Sequence, residues 1–280
     1  IKHNLERELK QCESKLYITQ GYICRNVFGE IDNLKRGGSD YSASLIGAAI
    51  QATEIEIWTD IDGMHNNDPR VVDKTFSIEQ LSYNEAAELA YFGAKILHPA
   101  SVYPAQLSEI PIWLKNTMEP TKLGTKIAKT VDDREFTAIA AKDGITAIKI
   151  KSGRMLLAYG FLRKIFDIFE RYKTPIDVIT TSEVAVSITI DDNSNLDAIQ
   201  EELRYLGEVE VNKNLSIVCV VGNFSHDSMG AGNKIFESIK HIPIRMVSYG
   251  GSQHNVSIVI ETEYKKEALV SLNNGLFNQN

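Results

Sequence analysis

The chain has 280 residues, 43% of them hydrophobic and 24% charged, which is typical of an ordinary globular protein with room for two or three domains. Its net charge of −7 argues against nonspecific nucleic-acid binding as the main activity. The three cysteines lack a metal-binding pattern and no apolar run is as long as a membrane span, so we expect a cytoplasmic protein that binds neither nucleic acid nor membrane.

The first predicted elements are an amphipathic helix over residues 5–14 and a strand over residues 17–23. The chain begins without methionine and enters the helical pattern almost at once. We therefore expect a fragment whose N-terminal part is missing.

A glycine-rich loop at residues 36–42, with the sequence RGGSDYS, leads into a run of small and apolar residues that predicts a buried helix. Glycines let backbone N–H groups approach an anion, and a helix N-terminus carries partial positive charge. Arg36 adds a bidentate fork for a carboxylate, and Asp40 suits an ammonium group. The loop thus suits an amino acid, which carries both charges. The alternative is a tight turn with Asp40 as the helix N-cap.

An alternating strand at residues 53–60 completes a strand–helix–strand unit, which favours a parallel sheet. Ligands of such sheets lie beyond the carboxyl ends of the strands, so Thr59 and Asp60 are expected at the edge where the glycine loop lies. The polar loop that follows holds His65 and Arg70, which are either binding residues or part of a solvated loop.

Helical patterning resumes after Ser82, which fits a capping box with Glu85. Lys95 follows two small residues and could reach a phosphate as a point charge. A strand at residues 110–116 and a turn-rich stretch at residues 118–125 close this first region.

Beyond about residue 130, two segments of the chain resemble each other. Both have the order strand, helix, strand, strand, helix, and the tripeptide KIF at residues 164–166 recurs at residues 234–236. A repeat of this kind predicts duplicated ferredoxin-like modules. The second copy ends without a final strand, which residues 136–141 could donate, so that one module is inserted in the other.

Several of these stretches together resemble the aspartate kinase family, and most of all its lysine-sensitive monofunctional members. The matching stretches, which cover nearly the whole chain in order, are residues 36–42, 57–60, 68–70 and 85–100 for the catalytic domain, 178–184 for the first ACT domain and 248–255 for the second.

The resemblance implies an α/β protein. It would hold the C-terminal part of an amino-acid-kinase-fold domain, with a parallel-type sheet and helices, followed by two ferredoxin-like βαββαβ ACT domains, one inserted in the other. The implied limits are residues 1–130 for the kinase portion, 152–211 for the first ACT domain, and 135–151 plus 212–277 for the second.

The activity implied is ATP-dependent phosphorylation of the L-aspartate side chain to 4-phospho-L-aspartate, with Mg²⁺ on the phosphates. This reaction is the first step toward lysine, threonine and methionine. The family's N-terminal Lys-Phe-Gly-Gly-type motif is not found, so we expect this chain alone not to be a competent kinase. The alternatives are a non-catalytic amino-acid-sensing fragment and a kinase of another small carboxylate.

The resemblance also assigns site residues. Arg36 should bind the α-carboxylate of aspartate, and Asp40 its ammonium group. The other predicted aspartate contacts are Gly37, Gly38 and Ser39. The predicted nucleotide contacts are Thr59, Asp60, His65, Arg70, Lys95 and Ile96. Lys95 is expected to neutralise charge on the moving phosphoryl group, and no residue is assigned to a metal.

An inhibitory amino acid, with lysine expected, should bind the first ACT domain, where two such domains pair across a homodimer. The matching positions are Met155, Ala158, Gly160, Phe161, Leu162, Ile176, Asp177, Ser182 and Glu183. Gly160 at a helix start offers N–H groups to a carboxylate, and Asp177 and Glu183 offer anions to an ammonium group. The alternative is that Asp177 and Glu183 are solvated loop carboxylates and that Phe161 and Leu162 belong to the core.

Overall fold

The computed structural model describes residues 2–11, 14–34, 37–93, 97, 99–129, 134–153, 159–224 and 229–277. These residues form two compact units. Unit 1 contains Ile1–Ala140 and Val221–Ser228, and unit 2 contains Ala141–Val220 and Met229–Asn280. The three domain limits expected from the sequence stay predictions.

Unit 1 combines a short hairpin with a four-stranded sheet and its helices. In chain order the elements are α1 (Lys2–Lys10), β1 (Ile23–Arg25), β2 (Ile31–Asn33), α2 (Gly38–Ile50), β3 (Ile55–Thr59), β4 (Gln80–Ser82), α3 (Tyr83–Tyr91), α4 (Pro99–Leu107), β5 (Ile112–Asn116) and β6 (Thr125–Ala128). The sheet order is β3-β5-β6-β4, with β3 parallel to β5, β5 antiparallel to β6 and β4 parallel to β6.

The strand expected at residues 17–23 is wrong, because the hairpin formed by β1 and β2 begins only at Ile23. Before it, the side-chain carbonyl of Gln20 accepts hydrogen bonds from the N–H groups of Tyr22 and Ile23, at 2.8 and 2.6 Å. These local bonds replace a strand ladder. The parallel partner of β3 is therefore β5, which comes later in the chain.

Alternation along β3 and β5 explains how the sheet of unit 1 is packed. Ile55, Ile57, Ile112 and Leu114 point to one face and are buried. On the other face the Lys115 ammonium group lies 5.4 Å from the ring centroid of Trp58 and 5.6 Å from that of Trp113. Each fully buried aliphatic side chain contributes about 2 kcal/mol to the free energy of unfolding, so the apolar face holds the strands in register and fixes where their carboxyl ends lie.

Unit 2 is built on a six-stranded sheet of order β11-β12-β10-β7-β9-β8. The elements are β7 (Phe136–Lys151), α5 (Phe161–Arg171), β8 (Ile179–Thr181), β9 (Ala185–Ile190), α6 (Leu196–Arg204), β10 (Glu208–Gly222), α7 (Ala231–Ser238), β11 (Ile244–Tyr249), β12 (Asn255–Glu261), a 3₁₀ turn (Thr262–Tyr264) and α8 (Lys265–Phe277). Residues 136–140 of β7 and 221–222 of β10 are counted in unit 1. Strands β10-β7-β9-β8 and strands β7-β10-β12-β11 each have the order of a ferredoxin-like βαββαβ module. The long strands β7 and β10 serve both modules, which is how one is inserted in the other.

Helix α5 shows why the repeat packs as it does. Phe161, Ile165, Ile168 and Phe169 recur at helical spacing and are all buried in the core of unit 2. They face apolar residues of the sheet that include Ile148.

Candidate functional site

The predicted aspartate loop forms the start of helix α2. Gly37 occupies the N-cap position with a left-handed φ of 73°, a conformation that favours glycine. Gly38 is buried, Ser39 is exposed, and the half-buried Asp40 lies in the first turn. The alternative in which Asp40 is the N-cap is therefore wrong, and its carboxylate instead lies near the positive end of the helix dipole. Arg36 lies outside the described residues.

The glycine loop packs against the chain segments just before and just after the hairpin. A Cβ on Gly21 would lie 3.1 Å from the Cα of Ser39, and one on Gly38 would lie 2.6 Å from the Cβ of Leu34. Ser42 also donates a hydrogen bond to the Gly21 carbonyl oxygen at 2.7 Å. A side chain at Gly21 or at Gly38 would therefore force its neighbours to move. The sequence did not predict this contact of Gly21, because a single glycine in a turn does not indicate which residue it will contact.

The predicted nucleotide residues Thr59 and Asp60 lie where strand β3 ends. Thr59 pairs with Asn116, the last residue of the parallel strand β5, and its carbonyl oxygen accepts a hydrogen bond of 2.8 Å from the Thr117 N–H. The Thr59 hydroxyl donates to the Asp60 carboxylate at 3.1 Å. Two carboxyl ends therefore meet at one edge, the usual place for ligands in such sheets. The buried Asn116 was missed by sequence reasoning, because its strand was predicted without its partner.

His65, in the loop after Asp60, is held on both ring nitrogens. Its Nε2 lies 3.0 Å from the Asp62 carboxylate, and its Nδ1 lies 3.1 Å from the Thr75 hydroxyl. Lys122 binds the second oxygen of Asp62 at 3.2 Å and also Glu119 at 2.7 Å. The hydrogen bond from His65, followed by that from Lys122, holds the pKa of Asp62 below its ordinary value. Asp62 was not among the predicted residues, and it links the start of this loop to Lys122 in the turn-rich stretch before β6.

Arg70 is bound to a carboxylate two residues away. Its Nε and Nη2 atoms each lie 2.9 Å from an oxygen of Asp68, and this bidentate hydrogen bond raises the pKa of Arg70. The Arg70 side chain is 79% exposed. It would thus have to share or exchange Asp68 to contact a phosphate. Lys95 and Ile96 lie outside the described residues.

Replacing Asp62 with asparagine is expected to lower the free energy of unfolding of unit 1 by about 1 kcal/mol at neutral pH, because the partly exposed charged pairs are lost. The folded-state pKa of Asp62 is lowered, so its contribution is present above the ordinary value of 3.8 and is lost as the pH falls through the folded-state value. Urea unfolding near pH 7 and below pH 4 measures this difference. Asp73→Asn, an exposed carboxylate of the same loop, is the matched control, and equal losses in both variants would contradict the prediction.

In unit 2 the predicted effector positions divide between core and surface. Gly160 is the left-handed N-cap of α5, with a φ of 78°, whereas the Phe161 side chain is buried in the core and Leu162 is exposed. Ile176 packs at the edge of that core. A ligand could therefore meet Phe161 only through its backbone. Met155 and Ala158 lie outside the described residues.

The predicted effector carboxylates have opposite environments. The Asp177 side chain is only 1% exposed and is paired with Lys142, so the alternative of a solvated loop carboxylate is wrong for this residue. Ser182 and Glu183 are exposed in the turn between β8 and β9, which the Ser182 N–H closes with a 2.8 Å hydrogen bond to Ala185. Lys142 carried no sequence signal, because an isolated lysine in an alternating strand predicts a solvated side chain.

The described part of the chain contains no group of three or more His, Cys, Asp or Glu residues that could hold a metal ion. Within the same residues, no helix has the length and apolar character that crossing a membrane requires.

Comparison with known proteins gives the family. Residues 1–116 match the amino acid kinase family, and residues 218–276 match an ACT domain. The lysine-sensitive aspartokinase 3 of Escherichia coli (strain K12) is 37% identical over 278 residues, which are 96% of this chain and 62% of that protein. By homology the chain belongs to the aspartokinase family. Aspartokinase 1 of Arabidopsis thaliana chloroplasts is also 37% identical, over 89% of this chain and 46% of its own length.

The solved structures of aspartokinases agree with the predicted fold class. The crystal structure of E. coli aspartokinase III with aspartate and ADP has a TM-score of 0.88 at 36% identity, over 98% of this chain and 63% of the other. The structure of the same enzyme with lysine and aspartate has a TM-score of 0.81. The chain thus spans about half to two thirds of these aspartokinases, and the predicted amino-acid-kinase and ACT architecture is confirmed.

Proposed function

We propose that this chain carries the aspartate loop, the nucleotide edge and the regulatory domains of an aspartate kinase that converts L-aspartate and ATP to 4-phospho-L-aspartate and ADP. The observation that carries this proposal is the match over 98% of the chain to an aspartokinase crystallised with aspartate and ADP. The domain limits expected from the sequence, 1–130, 152–211 and 135–151 plus 212–277, belong to the same proposal.

The chemistry needs little from the protein beyond position and charge. The aspartate side chain is already ionised near pH 7, since its ordinary pKa is about 3.9, so its oxygen attacks the γ-phosphorus without a general base and ADP leaves. The start of α2 offers N–H groups beside Gly37 to an anion. We assign Arg36 to the α-carboxylate of aspartate and Asp40 to its ammonium group, with Gly38 and Ser39 lining the loop.

The nucleotide is assigned to the edge formed by the ends of β3 and β5. Thr59 and Asp60 would contact it there, with His65, Arg70, Lys95 and Ile96 around the phosphates. Lys95 would neutralise charge on the transferred phosphoryl group. Mg²⁺ in kinases is held by substrate phosphates with one or two carboxylates, and the exposed Asp60 fits that arrangement. When bound, Mg²⁺ supplies further charge neutralisation.

Feedback inhibition by lysine at the first ACT domain is the regulatory part of the proposal. It is supported by the lysine-sensitive relative and by its structure with lysine and aspartate. The exposed Glu183 and the N-terminus of α5 at Gly160 offer an anion and a carboxylate site. We further propose a homodimer paired through the ACT domains and a cytoplasmic location.

Isothermal titration tests the proposal with the 280-residue chain. We expect L-aspartate, Mg²⁺-ADP and L-lysine each to bind, and we expect N-acetyl-L-aspartate, which lacks the ammonium group, and L-glutamate not to bind. Binding of lysine without aspartate or ADP would favour a non-catalytic sensor, and preference for L-glutamate would favour a kinase of another carboxylate.

A further inference from the structure

A lysine side chain of unit 2 already forms an ion pair with the carboxylate that the effector would need. Lys142, on strand β7, places its Nζ atom 2.8 Å from the Oδ1 atom of Asp177 and 2.8 Å from the Oδ2 atom of Asp191. The Lys142 side chain is 19% exposed, and Asp177 beneath it is 1% exposed. No small molecule can therefore reach Asp177 while Lys142 keeps this position.

The three residues are brought together by the sheet. Thr146 of β7 pairs with Ile190 of β9, so Asp191, the next residue, lies beside the part of β7 that carries Lys142. The Asp177 N–H donates to the Thr189 carbonyl oxygen at 2.9 Å, which fixes that carboxylate against the same end of β9. Burial alone would lower the pKa of Lys142, but its hydrogen bonds to Asp177 and Asp191 outweigh burial and raise it, so the lysine is a stable cation.

We propose that Lys142 is a specificity-determining residue of the regulatory site. Its ammonium group pairs with Asp177 when no effector is bound, and an amino-acid effector must displace it with an ammonium group of its own. This displacement is called the exchange below. This inference rests on the proposed regulatory function. The chemistry selects the effector class. An effector with a cationic group can replace the ion pair between Lys142 and the buried Asp177 carboxylate, whereas a neutral side chain of the same shape cannot, and losing this buried ion pair is strongly unfavourable.

Asp191 makes the exchange feasible. Asp191 is 38% exposed and binds the Lys142 ammonium group together with Asp177, so Lys142 keeps an ion pair to Asp191 when the effector displaces it from Asp177. Without Asp191, displacement from Asp177 would leave Lys142 with neither of these two ion pairs. Lys142 and Asp191 therefore have opposite effects on effector binding. Lys142 competes with the effector for Asp177, and Asp191 assists binding by pairing with the displaced Lys142.

Titration of the 280-residue chain with L-lysine and L-norleucine, which lacks the side-chain ammonium group, tests this proposal. Lys142→Met keeps the stem but removes the competitor, so lysine should bind about tenfold more tightly, as expected when a competing state no longer reduces apparent affinity. Asp191→Asn should weaken lysine binding about three- to tenfold, since the exchange becomes costlier. Norleucine should bind no variant more tightly than it binds the unmodified chain.

Three controls separate charge from other causes. Lys149→Met, an exposed lysine on the same strand, and Lys142→Arg, which keeps a cation, should bind lysine with affinities close to that of the unmodified chain. Lys142→Met combined with Asp177→Asn should lose the tenfold gain, because the carboxylate that recruits the effector is gone. Asp191→Asn decides the question by itself if Lys142→Met does not fold.

The outcomes distinguish this inference from the function on which it rests. If lysine binds the unmodified chain and its affinity is unchanged or weaker in Lys142→Met, or unchanged in Asp191→Asn, the exchange is overturned and feedback regulation stands. If no amino acid binds any of these proteins, the proposed regulation is overturned together with the exchange.

Discussion

Replacing Gly38 with alanine is expected to weaken the affinity of this chain for L-aspartate about 100-fold, because a displacement of about 1 Å at a substrate-positioning loop can have an effect of this size. Gly38 is the first residue of α2, and an added Cβ would lie 2.6 Å from the Cβ of Leu34. That atom is fixed to the backbone, so the clash is relieved only by moving the loop that we assign to aspartate. The effect is measured by titration with L-aspartate.

Gly47→Ala is the matched control for this prediction. Gly47 lies in the same helix and is also buried, and its added Cβ would lie 2.6 Å from the Cγ1 atom of Ile55. We expect overpacking to destabilise this variant by about 1–3 kcal/mol while aspartate affinity stays near that of the unmodified chain. Equal losses of aspartate affinity in both variants would mean that Gly38 acts only through stability.

The sequence predicted those parts of unit 1 that depend on local patterns. The glycines before an apolar run marked the start of α2, and the alternation of residues 53–60 marked β3, which the structure has as Ile55–Thr59. Pairing between distant strands was not predictable. The partner of β3 is β5, more than 50 residues further on, and no periodicity records which strands pair.

The candidate site shows the same division between local and distant information. His65 was identified by its place in a polar loop, but the carboxylate that holds it, Asp62, is one of several acids there, and only the fold selects it. Asp177 was identified through the family resemblance. That it is buried beneath Lys142 depends on the register of β7 with β9, which the sequence does not specify.

Replacing Glu85 with alanine is expected to lower the free energy of unfolding of unit 1 by about 3 kcal/mol, because hydrogen bonds to a buried carboxylate are lost together with a helix cap. Glu85 is 6% exposed. Its Oε2 atom accepts hydrogen bonds from the N–H and hydroxyl of Ser82 at 2.9 and 2.6 Å, which completes the capping box of α3. Its Oε1 atom accepts one from the Thr137 hydroxyl at 2.5 Å.

The sequence pattern predicted the capping box but not the third bond, from Thr137, and the size of the loss depends on this bond. Glu85→Gln keeps the shape and one acceptor oxygen, so it should cost about half as much as Glu85→Ala, whereas Glu88→Ala on the same helix should cost less than about 1 kcal/mol. Both tryptophans of the chain, Trp58 and Trp113, belong to unit 1, so their fluorescence during urea unfolding reports this unit. A loss for Glu85→Ala no larger than about 1 kcal/mol, the usual value of a helix cap alone, would show that Thr137 contributes nothing to the stability of unit 1.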